Sequence, residues 1–314
     1  MSTATDVEPA TDTSPPGHKR ALSARRRKDA LLAYGFLAPQ LLGLAVFMIG
    51  PLIFAVVLAF SNWDGFGTRS FAGLANFAWV FSDPQMRTSM VNTVWFTVLQ
   101  VPGLLVSGFI AAFFLQKAAK MKSVYRTAFF APQVTSTIAV SAIWLWLLNP
   151  ELSPINGFFA TLGITLPDWL QDPRWAIPSI VFVTLWQGIG YQIVMFMAGL
   201  ENVPRALFEA ADIDGASEFQ KMRKITLPLL SPTILFLSIT GIIGSFQVFD
   251  YIYFFYETTA PAYARTIVYE IVQIAFREFN FGRGAALAMV LFLILLAVTG
   301  LQLLAQKRWV HYTE

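Results

Sequence analysis

The side chains of this sequence that carry chemistry fall into two groups. Neither is an acid–base or nucleophile constellation. The first is a polar, charge-rich stretch over residues 209–228, EAADIDGASEFQKMRKITLP, lying between two long apolar runs. Its carboxylates and ammonium groups can make charge-assisted contacts with another protein, whereas a plain connector needs only a few turn residues. The second group is uncharged. Trp186, Gln187, Tyr191 and Gln192, together with Ser245, Phe246 and Gln247, set amide and hydroxyl groups beside aromatic faces. Together they suit a ligand that presents hydrogen-bonding edges and flat apolar faces. They equally suit hydrogen bonds and close packing between neighbouring helices. Gly188 and Gly190 would let the helix bend beside them.

Several chemistries are excluded. The chain has no cysteine, which removes disulfides, thiol catalysis and thiolate metal sites. Its two histidines, His18 and His311, lie in opposite tails and cannot form a metal cluster from one helix. No GxxxxGK[ST] motif is present, so the chain is not expected to hydrolyse nucleotide. The apolar runs hold no acid or histidine to act as a general base or proton relay. We expect no catalytic residue, no metal and no cofactor bound by this chain.

The positioning elements are membrane helices. Of 314 residues, 56% are hydrophobic and 13% charged, and the mean hydropathy is +0.57, far from the balance of soluble domains. Marking the charges leaves six uncharged runs at residues 34–60, 90–116, 127–148, 175–200, 225–249 and 284–306. Each exceeds the roughly 20 residues that a helix needs to cross the hydrocarbon core. We therefore expect an all-α polytopic membrane protein with six transmembrane helices. Of the 22 Lys and Arg, sixteen fall on the side that holds both termini and six on the other. This bias places both termini and the 209–228 segment in the cytoplasm. The basic pI of about 9.1 is explained by that topology, and no basic and aromatic interleaving points to nucleic acid.

The expected organisation is a disordered basic tail over residues 1–28, a first transmembrane helix at 29–60 and an external loop at 61–89. A five-helix domain at 90–306 comes next, with its cytoplasmic loop at 201–228, and then a short tail at 307–314. The first apolar run is far longer than a signal-peptide core, which makes it a retained anchor. Trp144, Trp146, Trp169 and Trp175 cluster near the outer ends of spans three and four, as an interfacial belt or a ligand-stacking surface.

Within the charged loop, Asn202 can cap a short helix whose first turn holds Pro204. Leu207, Ala210 and Ala211 then form a small apolar face suited to a groove. Asp214 and Gly215 break that helix, and Asp214 can cap the second one. Phe219, Met222 and Ile225 make a second stripe, with Lys221, Arg223 and Lys224 turned toward headgroups or an acidic partner. Pro228 and Pro232 lead into span five, giving helix, turn, helix.

This stretch resembles the EAA loop of the inner-membrane permease subunits of binding-protein-dependent ABC importers, in which EAA is followed by a Gly four residues on and then by I-x-L-P. Glu209, Ala210, Ala211, Gly215, Ile225, Leu227 and Pro228 match in order and spacing. The chain after residue 30 is similar to the maltose-type sugar permeases, through AYGFLAPQLLGLAVFMIGPLIFAVVLAFSNWD, FAGLANF and ITLPLLSPT. Two departures are Met222, where Phe is common, and ETTAPAYART, which lacks the usual GGP after span five.

The resemblance implies a type I importer permease fold in the cell inner membrane and a coupling helix docked on a cytoplasmic ATPase. Glu209 would touch the ATPase and Gly215 would make the turn, with Asp214 beside it. It also implies a second homologous permease, two ABC ATPase subunits that use ATP and Mg, and an external solute-binding protein. The solute would be a sugar or oligosaccharide, or alternatively a sugar phosphate, glycerol phosphate or polyol. A non-transporting scaffold or receptor and an ion-coupled transporter are the readings from other classes. For the latter no inverted repeat of the loop is found.

Overall fold

The computed structural model describes residues 29, 32–117, 122–257 and 259–310. The tail expected over residues 1–28 and the last four residues lie outside the described residues. The chain divides into two compact units, Met1–Ala55 and Val56–Glu314. In the first, the described residues are nearly all helical and belong to α1 (Leu32–Ala59), which widens to a π turn at Ala45–Ile49.

The second unit begins with a two-residue ribbon, β1 (Ser61–Asn62) antiparallel to β2 (Ser70–Phe71), and a short helix α2 (Ala75–Ser82). Buried Asn76 holds this region by donating from Nδ2 to Ala59 O at 3.0 Å and to Ser61 O at 2.9 Å. Helix α3 (Pro84–Lys117) starts before the run read at residue 90, because Asp83 accepts from the amides of Gln85 and Met86 and so caps it earlier.

The third span departs from a straight crossing. Helices α4 (Lys122–Val134) and α5 (Thr137–Leu147) meet at a bend of 101°. Pro132 denies the helix one N–H and crowds the preceding turn, and Ser136 takes ψ 132 at the start of α5. A short α6 (Pro154–Thr161), capped by Ser153 with proline at its first position, leads to α7 (Ala176–Glu201). This fourth span is unbroken, contrary to the bend expected at Gly188 and Gly190. Both are used for close contact instead. A Cβ at Gly190 would collide with Phe129 O, so the backbone of α4 crosses α7 there, and Gly108 on α3 sits against the Cβ of Gln192.

Two loop helices follow: α8 (Arg205–Ile213), and α9 (Glu218–Lys221), which runs on through a π turn at Met222–Thr226 and Leu227–Leu229. The fifth span is α10 (Ser231–Phe246) and α11 (Asp250–Tyr256), separated by a break at residues 247–249. Helix α12 (Ile267–Val272) precedes the last span, α13 (Phe281–Trp309). Five spans are thus continuous enough to cross, and six if the bent pair is one. Helix α7 packs most extensively on α3 and α4, and α10 packs on α3. Phe96, Val140, Ile180 and Ile252 share one buried cluster, and Ile193, Phe196, Leu230 and Leu237 share another.

Candidate functional site

The loop after α7 is defined by its caps. Asn202 closes α7, its N–H reaching Gly199 O and Leu200 O, so it does not cap the next helix as expected. The N-cap of α8 is Pro204, extended at ψ 126, so it stands just before the first turn and not in it as expected. Asp214 ends α8, and Gly215 follows at φ +72. The Gly215 amide donates to Asp212 O at 3.1 Å and the Ala216 amide to Ala211 O at 2.9 Å, a Schellman pair. Ser217, not Asp214, caps α9. It exchanges hydrogen bonds with Gln220 in a capping box of 3.3 and 2.7 Å.

Lys221 does not face outward as expected: its Nζ is bound by Asp212 and, at 3.0 Å, by Glu218. It thereby ties α9 back to α8, and these carboxylates, Asp212 first, raise its pKa. Arg223 and Lys224 remain exposed. The stripe splits at the π turn, with Phe219 63% exposed while Met222 and Ile225 are half-buried. Glu209, Ala210, Asp214 and Gly215 are exposed, Ala211 is half-buried on the same helix, and Ile225, Leu227 and Pro228 are half-buried where the loop joins α10. The face begun by Leu207 is open to a partner.

A second site is a polar cavity of about 360 Å³. It lies where the bend in span three and the break in span five meet α3 and α7. Gln100 comes from α3, Gln133 and Thr135 from the bend, Thr184 and Gln187 from α7, and Gln247, Asp250 and Tyr251 from the break. Gln187 joins the elements: its Nε2 donates to Thr135 O at 3.0 Å and its Oε1 accepts from the Tyr251 hydroxyl. The break is held open from outside by Thr266, whose hydroxyl donates to Val248 O at 2.9 Å and so satisfies a carbonyl that helix would have used. Gln100 presents a buried Oε1 without a partner among the described residues.

Of the seven uncharged residues singled out in the sequence, Gln187 and Gln247 line this cavity and five do not. Trp186 borders a separate, mostly apolar cavity with Phe129 and Pro132, and its ring lies 5.6 Å from that of Trp144. Tyr191 is 37% exposed and lines neither. Gln192 is buried against Gly108. Ser245 Oγ is 2.9 Å from Thr97 Oγ1, joining α10 to α3, and Phe246 packs in the core with Leu287. Three of the four clustered tryptophans, Trp144, Trp169 and Trp175, line a third, apolar cavity, and Trp146 does not.

Sequence reasoning missed Gln100, Gln133, Thr135, Thr184, Asp250 and Tyr251. The signal available was the run PQVTST inside an apolar span. The fifth span corrects a further expectation. At Ser231–Tyr256 it extends beyond residue 249 and contains Asp250, so the spans are not wholly free of charge. The composition of the spans therefore does not exclude ion coupling.

A family model described as the inner membrane component of binding-protein-dependent transport systems matches residues 103–311. The chain is 32% identical to the arabinooligosaccharides transport system permease protein of Bacillus subtilis, over 85% of this chain and 85% of that one. It is also 32% identical to the sn-glycerol-3-phosphate transport system permease protein of Agrobacterium fabrum, over 90% of this chain and 97% of that one. In fold it is similar to a crystal structure of a bacterial ABC transporter involved in alginate import, with a TM-score of 0.81 at 22% identity, covering 92% of this chain and 99% of that one. Members of the family are permease subunits rather than enzymes. With its multiple crossing helices and this match, the chain belongs to the inner membrane components of binding-protein-dependent transport systems and is a permease subunit of an ABC importer.

Proposed function

We propose that this subunit passes a sugar or oligosaccharide from an external binding protein into the cytoplasm. It sits in the cell inner membrane beside a second homologous permease, and two ABC ATPase subunits supply the energy from ATP and Mg. Both termini and the loop after α7 face the cytoplasm, in keeping with the Lys and Arg bias. In the loop, Glu209, Ala210 and Ala211 dock on the ATPase, and Asp214 and Gly215 set the turn. Ile225, Leu227 and Pro228 transmit its displacement into α10.

The observation that carries the solute reading is the cavity around Gln187. Its amides and hydroxyls come from four interrupted or closely crossed spans, and a shift of any of them reshapes the lining. Such side chains can replace the water around a polyhydroxylated solute without a formal charge of their own. The arabino-oligosaccharide relative supports this class. Glycerol phosphate is the second reading, supported by the Agrobacterium relative.

Purification from native membranes tests the assembly. A second permease and a Walker-type ATPase should copurify, and a thermal-shift screen on the cognate binding protein should return a sugar. Isolation of the chain without an ATPase, or stabilisation of the binding protein only by non-carbohydrate solutes, contradicts the proposal.

A further inference from the structure

Asp250 is the one charged residue on the lining of the Gln187 cavity among the described residues. It is exposed to that space, and among the described residues no hydrogen bond or ion pair engages its carboxylate. The next two cations after it along the chain are committed elsewhere. Arg265 pairs with Glu270 at 3.4 Å and donates to Ala260 O at 2.6 Å, while Arg277 stands 5.8 Å from the centre of the Tyr253 ring and donates to its hydroxyl at 3.4 Å. Asp250 stands in the first turn of α11, where a negative charge also favours the helix N-terminus, and it makes no capping hydrogen bond that would turn its oxygens away from the cavity.

We infer that Asp250 is a specificity-determining residue of the solute path, one that receives neutral or cationic polyhydroxylated solutes and rejects those bearing a phosphate or carboxylate. Its two oxygens can accept adjacent hydroxyls in charge-assisted hydrogen bonds. An anionic solute in the same confined space meets a like charge with no Lys, Arg or His on the lining to offset it, which is discrimination by repulsion. The inference rests on the cavity being the solute path. It favours the sugar over the glycerol phosphate alternative.

The absence of cysteine makes the test direct. Gln247→Cys places one thiol on the cavity lining next to Asp250. In the importer complex purified with its partner subunits, its modification by a trimethylammonium methanethiosulfonate and by a sulfonate methanethiosulfonate is followed by intact mass of this chain. The ratio of the two rates, divided by the ratio on free glutathione, should exceed one by about fivefold, as expected for a unit charge a few ångströms away in a water-filled site. Asp250→Asn should lower it to near one, and Asp250→Glu should keep it. A normalised ratio at or below one with Asp250 present, or one unchanged by Asp250→Asn, overturns the inference. The readout is independent of which solute is carried, so a failure of the sugar reading would appear in the binding-protein screen and not here.

Discussion

Replacing Gly190 by Ala tests whether the contact between α4 and α7 positions the cavity. A Cβ at this position meets Phe129 O and Phe129 C and lies 2.8 Å from Phe130 Cα. All are backbone atoms, which cannot rotate away. The contact with Phe129 O is the tightest, and restoring ordinary separations requires α4 to move by about 1 Å, enough to forfeit a quarter to a half of the dispersion energy along that seam. Overpacking of this kind costs about 1–3 kcal/mol, and a backbone obstacle puts Gly190→Ala near the upper end. Gly188 provides the control. There a Cβ meets the flexible Leu104 Cδ2 at 3.3 Å, and the gain of about 1 kcal/mol in helix propensity over Gly offsets it. Gly190→Ala gains the same propensity, being in the same helix, so the two variants should differ by the overpacking cost alone, about 1–3 kcal/mol. Because α4 leads into the bend, its displacement also pulls Thr135 O from Gln187, now 3.0 Å away. Thermal unfolding of the complex in one detergent, with ATP-dependent uptake beside it, reads both effects. Gly190→Ala should melt well below Gly188→Ala and transport less. Equal melting temperatures would refute the reasoning.

Gly215→Ala should destabilise the loop by about 1–2 kcal/mol, because φ +72 is left-handed, whereas Gly215→Asn should be milder. Faster hydrogen exchange at the Gly215 and Ala216 amides would register it. Tyr251→Phe removes the hydroxyl that donates to Gln187 and keeps the ring. A loss of about 0.5–1.5 kcal/mol, with reduced uptake, is expected, and unchanged uptake would show that the bond does not position the cavity. Glu270, buried between Gln85 and Arg265, has its pKa raised from 4.5, chiefly by burial and against the pull of Arg265. Its contribution is therefore present below about pH 4.5 and is lost as pH rises through the higher folded value. The stability of the native chain relative to Glu270→Gln should fall over that rise, and a pH-independent difference would contradict the assignment.

The long uncharged runs made the spans legible, since each had to satisfy its backbone inside hydrocarbon. The Glu209 loop was legible because its spacing matches a family pattern. Its caps were less so. Asn202 and Asp214 are good N-cap residues by type, yet each closes the helix before it, since the same side chains also tolerate helix ends. The cavity was only half visible. Gln187 and Gln247 stood out as amides in apolar spans, but Thr135 and Asp250 are brought in by a bend and a break whose geometry depends on neighbouring segments. The Thr266 bond to Val248 O joins residues 18 apart, and no local pattern announces it.

On the proposed function, solute moves through this chain only when its loop is driven from the ATPase. ATP-dependent uptake into proteoliposomes should be measured for the assembled complex with its binding protein, native and with Glu209→Ala, after copurification confirms that every subunit is retained. Glu209 is exposed and makes no hydrogen bond or ion pair among the described residues, so its loss should leave the fold intact. Uptake should collapse while the ATPase subunits remain bound. Undiminished uptake by the Glu209→Ala complex would contradict the proposal.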